Sequence, residues 1–164
     1  MISQQTPPPP QPTMPSSFRV VHDYATHPPS ALWRAVTDPA VVPLYTQGTS
    51  MTNFAPVVGA KFQYVTKTGT LLGMVWRGVV DCVVLEVQHG TRLSFSWQGD
   101  EAGQVTHVTV LVEPLGDGGA RLVWEHTGFK GVGGFFMCRL LEKVRKGMLH
   151  KALPKVLDEL DKPS

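Results

Sequence analysis

Residues 92–124 read RLSFSWQGDEAGQVTHVTVLVEPLGDGGARLVW, and apolar and polar side chains alternate through much of this stretch. Alternation with a period of two is typical of β-strands, in which successive side chains point to opposite faces of the sheet. One predicted face is apolar and carries Leu93, Phe95, Trp97, Val108, Val110 and Val112. The opposite face carries mostly polar side chains. The stretch therefore predicts a sheet with one polar face and one aromatic-rich face that another element must cover.

The predicted cover is the long helical pattern at residues 135–160. Apolar side chains recur there at helical spacing, at Phe136, Leu140, Val144 and Met148. Pro154 lies inside the pattern, and its ring would clash with the backbone carbonyl group four residues earlier, so we predict a kink or a break in the helix. Sheet and helix are expected to enclose an apolar interior, which is either a packed core or a ligand pocket.

Shorter patterns complete the predicted sheet. Strand patterns lie at residues 18–26, 62–66, 74–87 and 121–127, and a short helical pattern lies at residues 30–37. Gly78 leaves room for a bend or a bulge in its strand. Residues 116–119 are Gly-Asp-Gly-Gly, which supply the positive φ angles of a tight hairpin. The last predicted strand points Leu122, Trp124 and His126 toward the interior.

The composition indicates one domain and excludes a polyanion as an obvious partner. The chain has 164 residues, with 15 Lys and Arg against 13 Asp and Glu, and the net charge of +2 gives no signal for nucleic acid. No apolar run approaches the ~20 residues that span a bilayer. No secretory signal is recognisable at the N-terminus, so a cytoplasmic location is predicted. Residues 1–16 are predicted to be a disordered proline-rich tail, and residues 17–164 the folded domain.

Neither a metal site nor a phosphate site is indicated, and no cofactor is predicted. Cys82 and Cys138 are far apart without a Cys/His cluster, so both are predicted to be reduced and buried. The glycines at 128, 131, 133 and 134 precede the long helix but match no phosphate-binding motif. We predict that they form a hinge loop.

Five segments together resemble one known family. They are LWRAVTDP at residues 32–39, Phe54 with Pro56 and Gly59, RLSFSW at 92–97, residues 106–114, and EHTGF at 125–129. Their order resembles the START-like (SRPBCC) superfamily, and within it most closely the homologues of the activator of the heat-shock-protein-90 ATPase. Residues 139–160 look more like the polyketide-cyclase branch. The resemblance implies an α+β helix-grip fold, in which a curved antiparallel sheet wraps around a long C-terminal helix.

The inner face contains the candidate binding residues. Large aromatic side chains at strand spacing form either a packed core or the wall of a cavity, and buried indole N–H groups need partners. His126 either orients a ligand or acts as a base, or it is a hydrogen-bonded core residue. The predicted ligand-binding side chains are those of the inner face and two on the helix, namely Tyr64, Trp76, Phe95, Trp97, Trp124, His126, Leu141 and Met148.

We predict that the protein binds an apolar small molecule between the sheet and the C-terminal helix. Catalysis needs convergent polar groups, and the inner face supplies few, so a binding protein is favoured over an enzyme. The family resemblance implies two alternatives. One is a chaperone-cofactor-like interaction that stimulates a heat-shock ATPase, and the other is a polyketide-cyclase-like enzyme. Function varies within such superfamilies far more than fold does.

Overall fold

The computed structural model describes residues 6–8, 16–66, 69–71, 74–76, 78–99 and 104–163, and for residues 69–71 and 74–76 it describes only the backbone. Most of the predicted tail lies outside the described residues. The strands are β1 Ser17–Tyr24, β2 Ser50–Thr52, β3 Lys61–Val65, β4 Gly69–Leu71, β5 Met74–Trp76, β6 Val79–Gln88, β7 Arg92–Trp97, β8 Thr106–Pro114 and β9 Ala120–Thr127. The helices are α1 Pro29–Thr37, α2 Val42–Tyr45, α3 Gly131–Gly147 and α4 Leu153–Leu160, and the π-helical segment Met148–Ala152 joins the last two.

Seven strands form one antiparallel sheet in the order β1-β9-β8-β7-β6-β3-β2. The sheet curves around the C-terminal helix, which confirms the α+β helix-grip fold. The predicted alternation is also confirmed, because the apolar side chains of β7, β8 and β9 are buried on the concave face. These include Leu93, Phe95, Val108, Val110, Val112, Leu122 and Trp124.

The prediction of one long strand over residues 74–87 is wrong. Met74–Trp76 pairs with Gly69–Leu71 in a separate two-stranded sheet, whereas Val79–Gln88 belongs to the main sheet. Gly78 separates the two strands and has a φ angle of +81°, a left-handed conformation that interrupts an extended chain and favours glycine. Trp76 was predicted to lie on the main sheet, but it lies in the two-stranded sheet instead.

The prediction of a glycine hinge loop is also wrong at its C-terminal end. Helix α3 begins at Gly131 rather than at residue 135, so the predicted loop forms the first helical turn. Gly134 is buried, and a Cβ atom added there would lie 3.2 Å from the backbone carbonyl carbon of Phe129. The glycine thus allows the helix to approach the end of β9 closely.

The buried stripe of α3 differs from the predicted one. Phe136 is 62% exposed and Val144 is 36% exposed. The helix instead buries Gly134 and Cys138, and Leu141 packs against the core on the same face. Both stripes have regular helical spacing, but the one that faces the sheet contains small residues and a charged residue. Hydrophobicity alone therefore favoured the wrong stripe.

The predicted break at Pro154 is confirmed, and it takes the form of a π-helical turn. The backbone N–H of Leu153 donates to the carbonyl oxygen of Met148, five residues earlier. Pro154 has no N–H, so it cannot donate to a carbonyl group of the preceding turn. The Leu149 carbonyl instead accepts a hydrogen bond of 2.6 Å from the Tyr24 hydroxyl of β1. A tyrosine on the sheet therefore satisfies a carbonyl group that the proline leaves without its helical donor.

Helix α4 is anchored by both apolar and polar contacts. Leu153 and Leu157 are buried in the core. His27, which is buried in the turn between β1 and α1, contacts two carboxylates of the chain end. Its Nε2 atom lies 2.9 Å from Asp158 Oδ1, and its Nδ1 atom lies 2.9 Å from Asp161 Oδ2. The C-terminal end of α4 is thereby held against the turn that precedes α1.

Candidate ligand-binding site

A small, partly open cavity lies between the first half of α3 and the sheet, and we call it the α3 cavity. Its walls are Trp97, Gly99, Gln104, Thr106, Phe129, Met137 and Leu141. Trp97 ends β7, Thr106 begins β8, and Phe129 follows β9, so three strand ends meet below the helix. The volume is about 30 Å³. This is room for a water molecule or two but not for a drug-sized ligand, which needs several hundred Å³.

The predicted aromatic side chains of the main sheet lie together in one chain of ring contacts. Tyr64 lies 5.6 Å from Trp97 and 6.1 Å from Phe95, measured between ring centroids. Phe95 in turn lies 6.1 Å from Trp124, and Trp97 lies 5.2 Å from His126. These five predicted residues therefore share one surface, although only Trp97 among them lines the α3 cavity.

The remaining predicted residues are placed differently. Leu141 lines the cavity, and Met148 packs against the core near the π-helical turn. The side chain of Trp76 lies outside the described part of the chain. Sequence reasoning missed Phe129 and Met137, because Phe129 follows the last strand pattern and Met137 is not part of the predicted apolar stripe of the helix.

His126 is buried and belongs to a hydrogen-bonded chain. Its Nε2 atom lies 2.7 Å from the Thr106 hydroxyl, which donates to the carbonyl oxygen of Trp97 at 3.2 Å. Because the hydroxyl proton is used in that bond, the assigned tautomer of His126 carries its proton on Nε2. Burial lowers the pKa of His126 to about 3, with smaller contributions from the charges of Arg145 and His107. The imidazole is therefore neutral near physiological pH and is a weak base.

Arg145 is a further residue of this region that was not predicted as part of the site. Its guanidinium carbon lies 3.6 Å from the centroid of the Trp124 ring, in a cation–π contact. Such a contact is worth up to about 2 kcal/mol when it is desolvated. Burial lowers the pKa of Arg145, and the Tyr64 and Tyr45 phenols partly oppose this effect. The helix contains several other basic residues, and nothing in the sequence distinguishes Arg145 as the one that packs on the sheet.

The Arg145 side chain has no polar partner among the residues that the structure describes. None of the Asp and Glu carboxylates in that part of the chain pairs with it, and Glu142, three residues away, lies instead near Lys146 and Arg139, at 3.7 and 3.9 Å. The Trp124 indole N–H is likewise buried without an acceptor in the described part of the protein. A buried donor without an acceptor and a half-buried guanidinium without an ion-pair partner thus lie against each other.

The described residues contain neither a metal-binding cluster nor a membrane-spanning helix. No group of three or more His, Cys, Asp or Glu side chains there is arranged to hold a metal ion. The described helices include none that is long and apolar enough to cross a membrane. Cys82 and Cys138 are buried free thiols, as predicted, and burial raises the pKa of both.

Comparison with solved structures identifies similar folds. Protein MLL2253 from Mesorhizobium loti is 27% identical, with a TM-score of 0.71, and the match covers 89% of this chain and 99% of that one. PFC0360w, an HSP90 activator from Plasmodium falciparum, is 18% identical, with a TM-score of 0.65, and the match covers 91% of this chain and 99% of that one. CalU16 from Micromonospora echinospora is 17% identical, with a TM-score of 0.60 and coverage of 87% and 82%.

Curated proteins provide no match to this chain. The sequence model of one family, described as Activator of Hsp90 ATPase homolog 1-like protein, matches residues 26–161. That range includes α1, all strands after β1 and the whole C-terminal helix. The START-like resemblance is thereby confirmed, and the chain belongs to the family of Activator of Hsp90 ATPase homolog 1-like proteins.

Proposed function

We propose that the protein binds an apolar small molecule in the α3 cavity, between the first half of α3 and the sheet. The observation that carries the proposal is the lining of this cavity. Trp97, Phe129, Met137 and Leu141 supply apolar walls, and Thr106 and Gln104 supply a few polar groups. Ligand sites in proteins typically combine a mainly apolar wall with a small number of polar groups.

A ligand larger than water needs more room than about 30 Å³, and the first half of α3 supports an enlargement of the cavity. Only Gly134 and Cys138 are fully buried along this helix, and Met137 and Leu141 are only partly buried against the core. Met137 and Leu141 form the helical wall, and methionine adapts its shape readily because it is unbranched and flexible. We expect ligand binding to displace these two side chains rather than the strands.

His126 supports binding rather than acid–base catalysis. Its pKa of about 3 keeps the imidazole neutral, and its Nε2 atom is engaged by Thr106 at 2.7 Å. An efficient general base has a pKa near the working pH, which the pKa of about 3 does not meet. We assign to His126 the role of a hydrogen-bonded support that packs against Trp97 from outside the cavity.

The test is titration of the protein with an apolar fluorescent dye, with tryptophan emission as a second signal. We expect Leu141→Lys to weaken dye binding at least tenfold, because it places a charge in the wall of the cavity. Leu85→Lys is the matched control, since Leu85 is exposed on β6 and is expected to leave binding unchanged. Unchanged melting temperatures would show that both variants fold. Equal dye affinity in the wild type and Leu141→Lys would contradict the proposal.

Interaction with a chaperone is a second candidate, supported by the exposed apolar side chains at the start of α3. Val132 is 61% exposed and Phe136 is 62% exposed, so both are available to a protein partner. Phe136→Ser is expected to reduce stimulation of an Hsp90 ATPase without changing dye binding, because Phe136 is not part of the cavity wall. An ATPase rate that the wild-type protein does not alter would exclude this candidate.

A further inference from the structure

We propose that the molecule bound in the α3 cavity is an apolar acid, whose single negative charge is held by the Arg145 guanidinium and the Trp124 indole N–H. This inference rests on the proposed function, because it names the chemical class of the ligand for that site. Arg145 follows Leu141 of the cavity wall by one helical turn, which places it about 6 Å further along the same face of α3. Arg145 and Trp124 lie beyond the lining of the α3 cavity, so a ligand whose apolar tail lies beside Leu141 and Trp97 has to extend along α3 for its acidic head to reach Arg145.

The charge of Arg145 is uncompensated within the described part of the chain. No ion pair and no side-chain hydrogen bond of Arg145 is present there, although a guanidinium group has five N–H donors. Arginine stays protonated even when burial lowers its pKa, so it cannot avoid the cost of desolvation by losing its charge. The Trp124 ring covers one face of the guanidinium at 3.6 Å. A cation–π contact leaves the donors at the edge of the group free for a planar, two-oxygen partner.

The Trp124 indole N–H is a second donor at the same place. Trp124 is only 2% exposed, and its Nε1 atom is buried without an acceptor among the described residues. Because the guanidinium lies over this same ring, both donors are within the width of one indole of each other. Buried polar groups in native proteins are almost always satisfied, so the unpaired Trp124 N–H indicates a missing acceptor, and the half-buried Arg145 guanidinium beside it supplies the matching positive charge.

The surrounding groups favour a ligand with one negative charge. His126 is neutral near physiological pH, since its pKa is lowered to about 3. Tyr45 is neutral as well, because burial raises its pKa to about 12, and burial raises that of Tyr64 too. Among the described residues of this cluster, Arg145 is therefore the one charge, and a monoanion neutralises it. A phosphate dianion would leave a net negative charge in an apolar interior. We therefore assign a carboxylate head.

The test compares two probes of nearly equal shape, 2-naphthoic acid and 2-naphthamide, by calorimetric titration at pH 7. We expect the wild-type protein to bind the acid at least tenfold more tightly than the amide. Arg145→Gln is expected to remove this preference while it leaves amide binding within about threefold, because the apolar wall is retained. Arg139→Gln is the matched control, since Arg139 lies on the solvent side of the same helix and is expected to keep the preference.

Two further variants and one further probe keep the result decisive. Arg145→Lys retains the positive charge but loses the paired N–H donors of the guanidinium. Trp124→Phe retains an aromatic ring but loses the indole N–H. Each variant is expected to reduce the preference for the acid over the amide about threefold to tenfold. If Arg145→Gln does not fold, these two variants supply the comparison. Equal binding of acid and amide to the wild type, or tighter binding of 2-naphthyl phosphate than of the acid, overturns the inference. Binding of neither naphthalene probe overturns the proposed function itself.

Discussion

The two halves of the C-terminal helix are held against the sheet in different ways. In the second half, residues 148–160, Leu149, Leu153 and Leu157 are buried and Tyr24 and His27 add polar contacts. In the first half, Gly131–Gly147, only Gly134 and Cys138 are buried. The proline that interrupts the helix does not loosen it, because the break lies in the half that is anchored best.

In the proposed function, this difference separates stability from ligand binding along one helix. The second half closes the core and fixes where the helix lies. The first half contributes Met137 and Leu141 to a cavity and Arg145 to a cluster of unsatisfied donors. Regions that bind ligands are commonly drawn from the less stable parts of a fold, because binding needs groups that are not already paired. The predictions that follow test whether the two halves differ in this way.

The largest expected effect is that of shortening a leucine in each half. Leu153→Ala is expected to lower the free energy of unfolding by about 2–5 kcal/mol, because Leu153 is fully buried and its removal leaves a cavity. Leu141→Ala is expected to cost about 1 kcal/mol, since its side chain already borders open space. Urea unfolding of both variants measures the difference. Equal losses would show that the two halves are anchored alike.

The next largest effect is a loss of stability in acid that depends on His126. Its pKa is about 3 in the folded protein against 6.5 for an unperturbed histidine, so the unfolded state binds the proton more readily. This contribution to stability is fully present above pH 6.5 and is lost as the pH falls from 6.5 toward 3. The expected loss at pH 5 is about 2 kcal/mol.

His126→Gln provides the control for this acid effect. The variant lacks the titrating imidazole, so the difference between its free energy of unfolding and that of the wild type is expected to shrink between pH 7 and pH 5. Urea unfolding at each pH measures it. A difference that stays constant with pH would contradict the buried, neutral state of His126.

The smallest of the three effects concerns the bond between the sheet and the π-helical turn. Tyr24→Phe is expected to cost about 1–2 kcal/mol, because it leaves the buried Leu149 carbonyl without a donor. In a Pro154→Ala background the helix regains a backbone N–H, so the cost of Tyr24→Phe is expected to fall. A double-mutant cycle of these variants measures the coupling. Zero coupling would show that the proline and the tyrosine act independently.

Most of the sheet was predictable because each strand has one buried face and one exposed face. The strand β7 and the inward positions of β8 and β9 follow directly from alternation. The strand over residues 74–87 was not predictable, because a single positive φ angle at Gly78 divides it. Glycine in a strand pattern is compatible with a bend, a bulge or a complete break, and local sequence does not distinguish them.

The candidate site was predictable only in part. Trp97 and Leu141 were predicted as binding residues and line the α3 cavity. Arg145 was missed because the helix offers two regular stripes, and the apolar one was chosen over the stripe that contains a cation. The orientation of a helix depends on the sum of its contacts with the sheet, which no window of sequence contains.

The sequence by itself determined the class of fold, the concave aromatic face and the break before Pro154, because these depend on side-chain period and on the missing N–H of proline. Only the tertiary structure decided which face of α3 meets the sheet, and therefore that the guanidinium of Arg145 lies 3.6 Å from the Trp124 ring. Trp124 lies on a strand and Arg145 on a helix, 21 positions later in the sequence. The physical reason is that burial and charge compensation are properties of packed surfaces, whereas periodicity is a property of the chain.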